Sequence, residues 1–132
     1  MPKPLFPGHT YINLTTFRRN GRPVPTPVWF VELDDKLYVF TQMNSGKVKR
    51  VRANGQAQIA ASDVRGRPLT AFMEAKARLV SETDPIYARA LEHYRRKYGL
   101  LWRLFALFAR LRGQRESMAM IELEPLPHVQ HA

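Results

Sequence analysis

Ser45, Gly46 and Lys47 stand where this chain is best equipped to hold an anion. They follow the apolar run Leu37-Tyr38-Val39-Phe40 and the polar pair Thr41-Gln42, and they open a segment rich in cations, Lys47-Val48-Lys49-Arg50-Val51-Arg52. Asn44-Ser45-Gly46 is turn and N-cap material, and the helical pattern it opens closes at Asn54-Gly55. The spacing therefore predicts a strand, a tight turn and a short helix. A helix N-terminus presents backbone N–H groups without intrahelical acceptors and the positive end of the dipole, so Ser45, Gly46 and Lys47 make a cradle for a phosphate. The same spacing also fits an ordinary strand-to-helix junction with a solvated basic face. Between Asp35 and Asp63 there is no acidic residue, while Lys36, Lys47, Lys49, Arg50 and Arg52 all occur. That uncompensated positive field makes an anionic ligand the simplest partner.

At 132 residues the chain fits one domain, with a core over about residues 10–124. Its composition, 45% hydrophobic and 24% charged, is that of a globular protein. The absence of cysteine excludes disulfides, thiolate catalysis and cysteine-based metal sites, and with no secretory signal at the start a cytoplasmic location is expected. A net charge of +10 favours polyanionic partners: nucleic acid, an anionic membrane surface, or phosphorylated and carboxylated small molecules.

The elements that must position the turn read as mainly β. Residues 11–17 and 24–33 form two strands around an Asn20-Gly21 turn of the kind that closes two-residue hairpins. Pro23, Pro25 and Pro27 alternate, so their missing N–H groups fall on one edge, which must be a sheet edge, a barrel gap or a wall facing a ligand. Strands follow at 37–41, 56–61 and 70–80. Asp84 caps and Pro85 starts a helix that ends at Gly99. Residues 100–111 form a second helix, apolar except for Arg103 and Arg110, at about twelve residues too short for the ~20 that span a bilayer. It reads as a core or dimer-interface helix, an interfacial membrane helix or an apolar lid, with burial the leading expectation. Residues 117–124 form a last strand. About six antiparallel strands with one inserted helix and a helical pair before the last strand suit a closed or split β-barrel.

Side chains for independent catalysis are missing. His9, His93, His128 and His131 do not fall into a metal spacing, and no nucleophile elbow, Walker loop or dinucleotide fingerprint occurs. No catalytic residue is identifiable, so any chemistry is expected to belong to a bound cofactor.

Taken in order, Leu14-Thr15-Thr16-Phe17, Gly21-Arg22 through Pro27-Val28-Trp29-Phe30, Gly46-Lys47-Val48-Lys49-Arg50, Asp63-Val64-Arg65-Gly66 and Lys97-Tyr98-Gly99-Leu100-Leu101 resemble one family across residues 11–124. It is the split β-barrel flavin and deazaflavin oxidoreductases related to pyridoxamine 5′-phosphate oxidase, and within it the small actinobacterial-type group of coenzyme F420-dependent enzymes. The resemblance implies that Ser45, Gly46, Lys47 and Arg50 hold the cofactor's phosphate with Lys49 and Arg52 nearby. It implies too that Pro27, Val28 and Trp29 wall the flat ring, and that Thr41 and Gln42 line the site. It further implies a homodimer with cofactor sites at the interface.

The pattern departs from the true pyridoxamine phosphate oxidases in three places. Their phosphate turn reads Ser-Arg-Lys where this chain has Ser45-Gly46-Lys47, and the family's arginine and lysine of the second strand fall at Thr26 and Val31. The departures argue against pyridoxamine phosphate oxidation. The surplus of cations suits the deazaflavin coenzyme F420, which carries a phosphodiester and an oligoglutamate tail that Arg50, Arg52 and Arg95-Arg96-Lys97 would hold. The resulting expectation is a dimeric oxidoreductase passing hydride to an electron-poor small molecule, with no protein proton donor identifiable and solvent, Tyr38 or Tyr11 the candidates. FMN in the same fold and a non-catalytic cofactor carrier are the alternatives. A nucleic-acid-binding barrel ranks below them, because no aromatic residue is interleaved in the basic helix.

Overall fold

The structure is a computed structural model that describes residues 4–111 and 118–127. Its elements run β1 (Tyr11–Phe17), β2 (Pro23–Trp29), β3 (Val31–Leu33), β4 (Lys36–Gln42), α1 (Gly46–Ala53), β5 (Gln56–Ser62), β6 (Met73–Val80), α2 (Pro85–Tyr98), α3 (Leu100–Leu111) and β7 (Met118–Pro125). The strands pair in the order β2-β1-β5-β6-β7-β4-β3, all antiparallel. Since β2 and β3 are separated only by Phe30, the two ends of the sheet meet in one stretch of chain, and the sheet curls closed there.

Side-chain alternation divides the apolar residues between two cores. Ile12, Leu14, Leu37, Val39, Ile59, Ile121 and Leu123 fill the barrel, with Val48 and Val51 of α1 packed into the same cluster. From the opposite face, Val31, Tyr38, Val80 and Met120 meet Ala90, Tyr94 and Tyr98 of α2. Glu122 lies on that outer face, 3% exposed, gripped by Arg78 through two contacts of 2.7 and 2.8 Å and by the Tyr38 hydroxyl at 3.0 Å.

Strand 24–33 of the sequence reading is two strands, not one, which brings the count to seven. The register β1 with β2 ends at Tyr11 opposite Trp29, and pairing with β4 begins at Val31 opposite Tyr38. At Phe30 the backbone leaves both ladders and needs other partners. Tyr98 supplies them: its hydroxyl accepts from the Phe30 N–H at 2.9 Å and shares its proton between the carbonyls of Phe30, 2.9 Å, and Thr10, 2.8 Å. One helical turn earlier, the Tyr94 hydroxyl accepts from the Phe40 N–H at 2.9 Å and reaches the carbonyls of Trp29 and Tyr38 at 2.8 and 3.1 Å. Lys97 donates to the Phe30 carbonyl at 2.9 Å, with its ammonium 3.4 Å from the centre of the Phe30 ring.

Other boundaries moved for local reasons. The β1–β2 connection is not a two-residue hairpin: the Arg18 N–H bonds to Arg22 O at 2.9 Å and that of Gly21 to Arg18 O at 2.8 Å, leaving a three-residue loop with Gly21 at φ 86°. β6 starts at Met73 rather than residue 70, because the Thr70 hydroxyl takes the Ala61 N–H at 3.0 Å in place of a ladder partner. The alternating prolines lie on β2, the end strand of the sheet, opposite Phe17, Thr15 and Asn13 with their imide side turned away from β1. α3 is not a core helix: its leucines and phenylalanines are exposed, and Trp102 alone among its described side chains is half-buried. Ser117, given as the first residue of the last strand, lies outside the described residues, as do His128 and His131. Among the described residues no helix is long and apolar enough to cross a membrane, and no group of three or more metal-ligating side chains is present.

Two predictions follow from the seam. Tyr98→Phe strands the buried Phe30 N–H and is expected to cost about 1–3 kcal/mol in urea unfolding. Tyr87→Phe, a ring packed edge-on against Phe40, should stay within about 0.5 kcal/mol; equal effects would contradict the seam's role. Lys97 is exposed as a residue but its ammonium is tucked against Phe30, and desolvation there lowers its pKa to about 8 against an opposing pull from Glu32. Above about pH 8 the folded chain has released this proton while the unfolded chain keeps it up to about 10.4. Stability therefore gains from this group as pH rises, until unfolded tyrosines begin to ionise near pH 10. The rise between about pH 8 and 9.5 should shrink in Lys97→Met, and an unchanged slope would refute the assignment.

Candidate functional site

The turn into α1 is built by three local bonds. The Ser45 N–H donates to Gln42 O at 3.1 Å, its hydroxyl accepts from the Val48 N–H at 3.4 Å, and its carbonyl accepts from the Lys49 N–H at 3.3 Å. Ser45 is the N-cap, with extended φ −69° and ψ 157°. Gly46 and Lys47, the first two helical residues, have N–H groups with no intrahelical acceptor. No acidic residue stands in this first turn.

Beside Gly46 lies an arginine. A Cβ on Gly46 would come within 2.7 Å of Arg50 Nη1, so the guanidinium folds back across the start of its own helix in space that only glycine leaves open. Arg50 Nε donates to Thr16 Oγ1 at 2.6 Å, which ties α1 to the fully buried end of β1. Desolvation lowers the Arg50 pKa, and Arg18 lowers it further. Lys47, on the same side of the helix one turn earlier, is likewise lowered, first by desolvation and then by Arg50. Among the described residues no carboxylate comes within 4.0 Å of Arg18, Lys47 or Arg50. Lys47 and Arg50, each disfavoured as a cation first by desolvation and then by a neighbouring arginine, form with the open N–H groups a site that an anion would relax.

Ser45, Gly46, Lys47 and Arg50 thus converge as the sequence suggested. Arg18 and Thr16 join them from 32 and 34 positions away, and nothing in the sequence linked them to the helix. Lys49 is exposed on the outward flank, and Arg52 contacts Met43 Sδ at 3.2 Å. Thr41 pairs with Ala119 in the sheet, and Gln42 is fixed by its carbonyl to Ser45. Pro27, Val28 and Trp29 sit elsewhere on β2. Thr16, the anchor of Arg50, is opposite Val24, so Pro27 lies about 10 Å and Trp29 about 16 Å further along the strand. Val28 packs toward the barrel core, and the Trp29 ring stacks on Tyr98 at 4.4 Å. The unpaired edge at Pro27 is overlain by residues 63–68, whose Gly66 carbonyl accepts from Asn13 Nδ2 at 2.8 Å and whose Gly66 backbone approaches the Pro27 ring. Tyr38 is not available as a proton donor: it is 1% exposed, bonded to Glu122, and pushed up by burial and by that carboxylate. Val31, where the family carries a lysine, is buried in the outer core.

Residues 3–125 match the family model described as pyridoxamine 5′-phosphate oxidase. No curated protein matches the chain. Among solved structures, the haem storage protein HutZ from Vibrio cholerae superposes with a TM-score of 0.69 at 15% identity, covering 92% of this chain and 84% of its own. A pyridoxamine 5′-phosphate oxidase-related, FMN-binding protein from Nostoc punctiforme gives 0.55 at 19% identity, covering 88% and 70%. General Stress Protein 26 from Bacillus anthracis gives 0.58 at 20% identity, covering 89% and 81%. At these identities the likeness is one of fold, and it confirms the split barrel.

Gly46→Ala provides a narrow test of the site. The added methyl displaces a flexible guanidinium, not backbone, and alanine suits a helix better than glycine, so the melting temperature should hold or rise. Phosphate binding, read as stabilisation by added inorganic phosphate, should weaken about tenfold with the loss of one charge-assisted contact. Undiminished phosphate binding would show that the Arg50 position is incidental.

Proposed function

Because this chain belongs to the pyridoxamine 5′-phosphate oxidase family, we propose that it is an oxidoreductase holding a phosphate-bearing, flavin-type cofactor, the deazaflavin coenzyme F420. The observation that carries this reading is the cluster of Lys47, Arg50 and Arg18 at the open start of α1, uncompensated by any described carboxylate within 4.0 Å. The family's turn has an arginine where Gly46 stands, and here the Arg50 guanidinium occupies the space above that glycine. The cation is retained from one helical turn later.

In this assignment Ser45, Lys47, Arg50 and the Gly46 N–H hold the phosphate, and Arg18 adds charge. Lys49 and Arg52, on the outer flank, face the acidic tail of the coenzyme, which FMN lacks. Thr41 and Gln42 border the turn, and the flat ring extends along β2 toward Pro27, Val28 and Trp29, where residues 63–68, which cover the Pro27 edge, must make room for it. When bound, the cofactor supplies hydride to an electron-poor small molecule. The chain itself binds, orients and excludes water. The anchor and the Pro27 edge are about 10 Å apart along β2, so a homodimer in which a second copy completes each site is part of the proposal. FMN is the second reading, favoured by the family and by the FMN-binding protein of similar fold.

Fluorescence titration decides between them, with Trp29 and Trp102, the only two tryptophans, as reporters. Micromolar binding of coenzyme F420, weakened at least about tenfold in Lys47→Ala and in Arg50→Ala, is the expected result. Tight binding of FMN with no response to the deazaflavin would overturn the cofactor while keeping the family. Binding of haem alone, or of none of the three, would overturn the redox reading.

A further inference from the structure

α3 leaves an apolar side uncovered. Leu100, Leu104, Leu107 and Leu111 recur at spacings of four, three and four and so fall on one stripe, with Leu101 and Phe108 beside it. Exposure along it is high, 70% at Leu100, 60% at Phe108 and 74% at Leu111. The helix is held to the barrel from its other side, where Trp102 packs on Phe40 and Tyr94 and Phe105 meets Trp29. Across the elbow at Gly99, Arg95 and Arg96 of α2 join Arg103, Leu100 and Leu107 in lining a cleft of about 680 Å³. Glu92, the one carboxylate in its wall, is paired with Arg95 at 3.3 Å and Arg96 at 3.7 Å, and Arg103 has no acidic partner within 4.0 Å among the described residues.

We infer that α3 lies flat on an anionic lipid surface, its leucine stripe among the acyl chains and Arg95, Arg96 and Arg103 against the headgroup phosphates. The helix is about 18 Å long, short of the ~30 Å hydrocarbon core, so it lies on the surface and does not cross it. Apolar stripe, adjoining cations and a net charge of +10 all match that one surface. A second copy matches it less well. The helix contains no acidic residue, so pairing two such stripes sets Arg103 of one against the cationic flank of the other, where Glu92 is the one carboxylate and is already shared by Arg95 and Arg96. The inference is independent of the cofactor assigned to α1.

Co-sedimentation of the full-length protein with vesicles tests it. Phosphatidylglycerol-containing vesicles should pellet the protein, and pure phosphatidylcholine vesicles should leave it in solution. Leu107→Asp and Arg103→Glu should each weaken partitioning at least about tenfold, with the melting temperature and phosphate binding at α1 unchanged. Three results would overturn the inference: no pelleting with anionic vesicles, equal pelleting with neutral ones, or a Leu107→Asp variant whose solution mass halves while vesicle binding stays the same. The last would show that a second copy covers α3. Arg103→Glu, at an exposed residue, keeps the test decisive even if the aspartate disturbs the helix.

Discussion

The barrel depends on satisfying a few backbone groups at the point where one strand changes partners. Phe30 belongs to neither neighbouring ladder, and an unpaired buried amide costs as much as a sizeable share of a small domain's net stability. Two hydroxyls four residues apart on α2 meet this need, Tyr98 at Phe30 and Tyr94 at Phe40. Their spacing requires a continuous helix there, which the Asp84 cap, Pro85 and the terminal Gly99 delimit. α2 is thus the clasp of the barrel, and its aromatic side becomes the outer core. That arrangement also explains why Tyr94 and Tyr98 hold their protons so firmly: burial disfavours either phenolate.

Electrostatics follow a different rule at the two ends of the molecule. Glu122 is buried but surrounded: Arg78, Tyr38 and Lys36 together hold its pKa below the usual carboxylate value despite the cost of desolvation. At the start of α1 nothing plays the matching part. Lys47 and Arg50 are partly desolvated beside one another and Arg18, and each is easier to deprotonate than in water. A fold that neutralises one buried charge with care and leaves two half-buried cations without a carboxylate at the start of a helix has kept a place for an external anion.

The sequence was most legible where structure is local. Ser45 and Asp84 cap the helices they were expected to cap, Gly99 ends α2, and Pro23, Pro25 and Pro27 mark the free edge, because each of these rests on backbone chemistry within a few residues. The break at Phe30 was hidden because its hydrogen-bond partner is 68 positions away. Arg18 and Thr16 were missed at the anion site for the same reason. The helix-start chemistry pointed to Lys47 and the family resemblance added Arg50, but the fold of Arg50 over Gly46 is visible only in three dimensions. Of the readings for α3, burial in the core of its own chain is the one excluded, because apolar periodicity reports that a face seeks cover and not what covers it.

The central claim is that the start of α1 grips the phosphate of the cofactor. Its most direct measurement compares the affinity of coenzyme F420 with that of its phosphate-free deazaflavin chromophore, in the wild-type protein and in Arg50→Ala. The account predicts that the wild type prefers the phosphorylated form by at least about tenfold and that the variant loses most of that preference, since a charge-assisted contact is worth about 1.5–3 kcal/mol. The same preference in both proteins would contradict it.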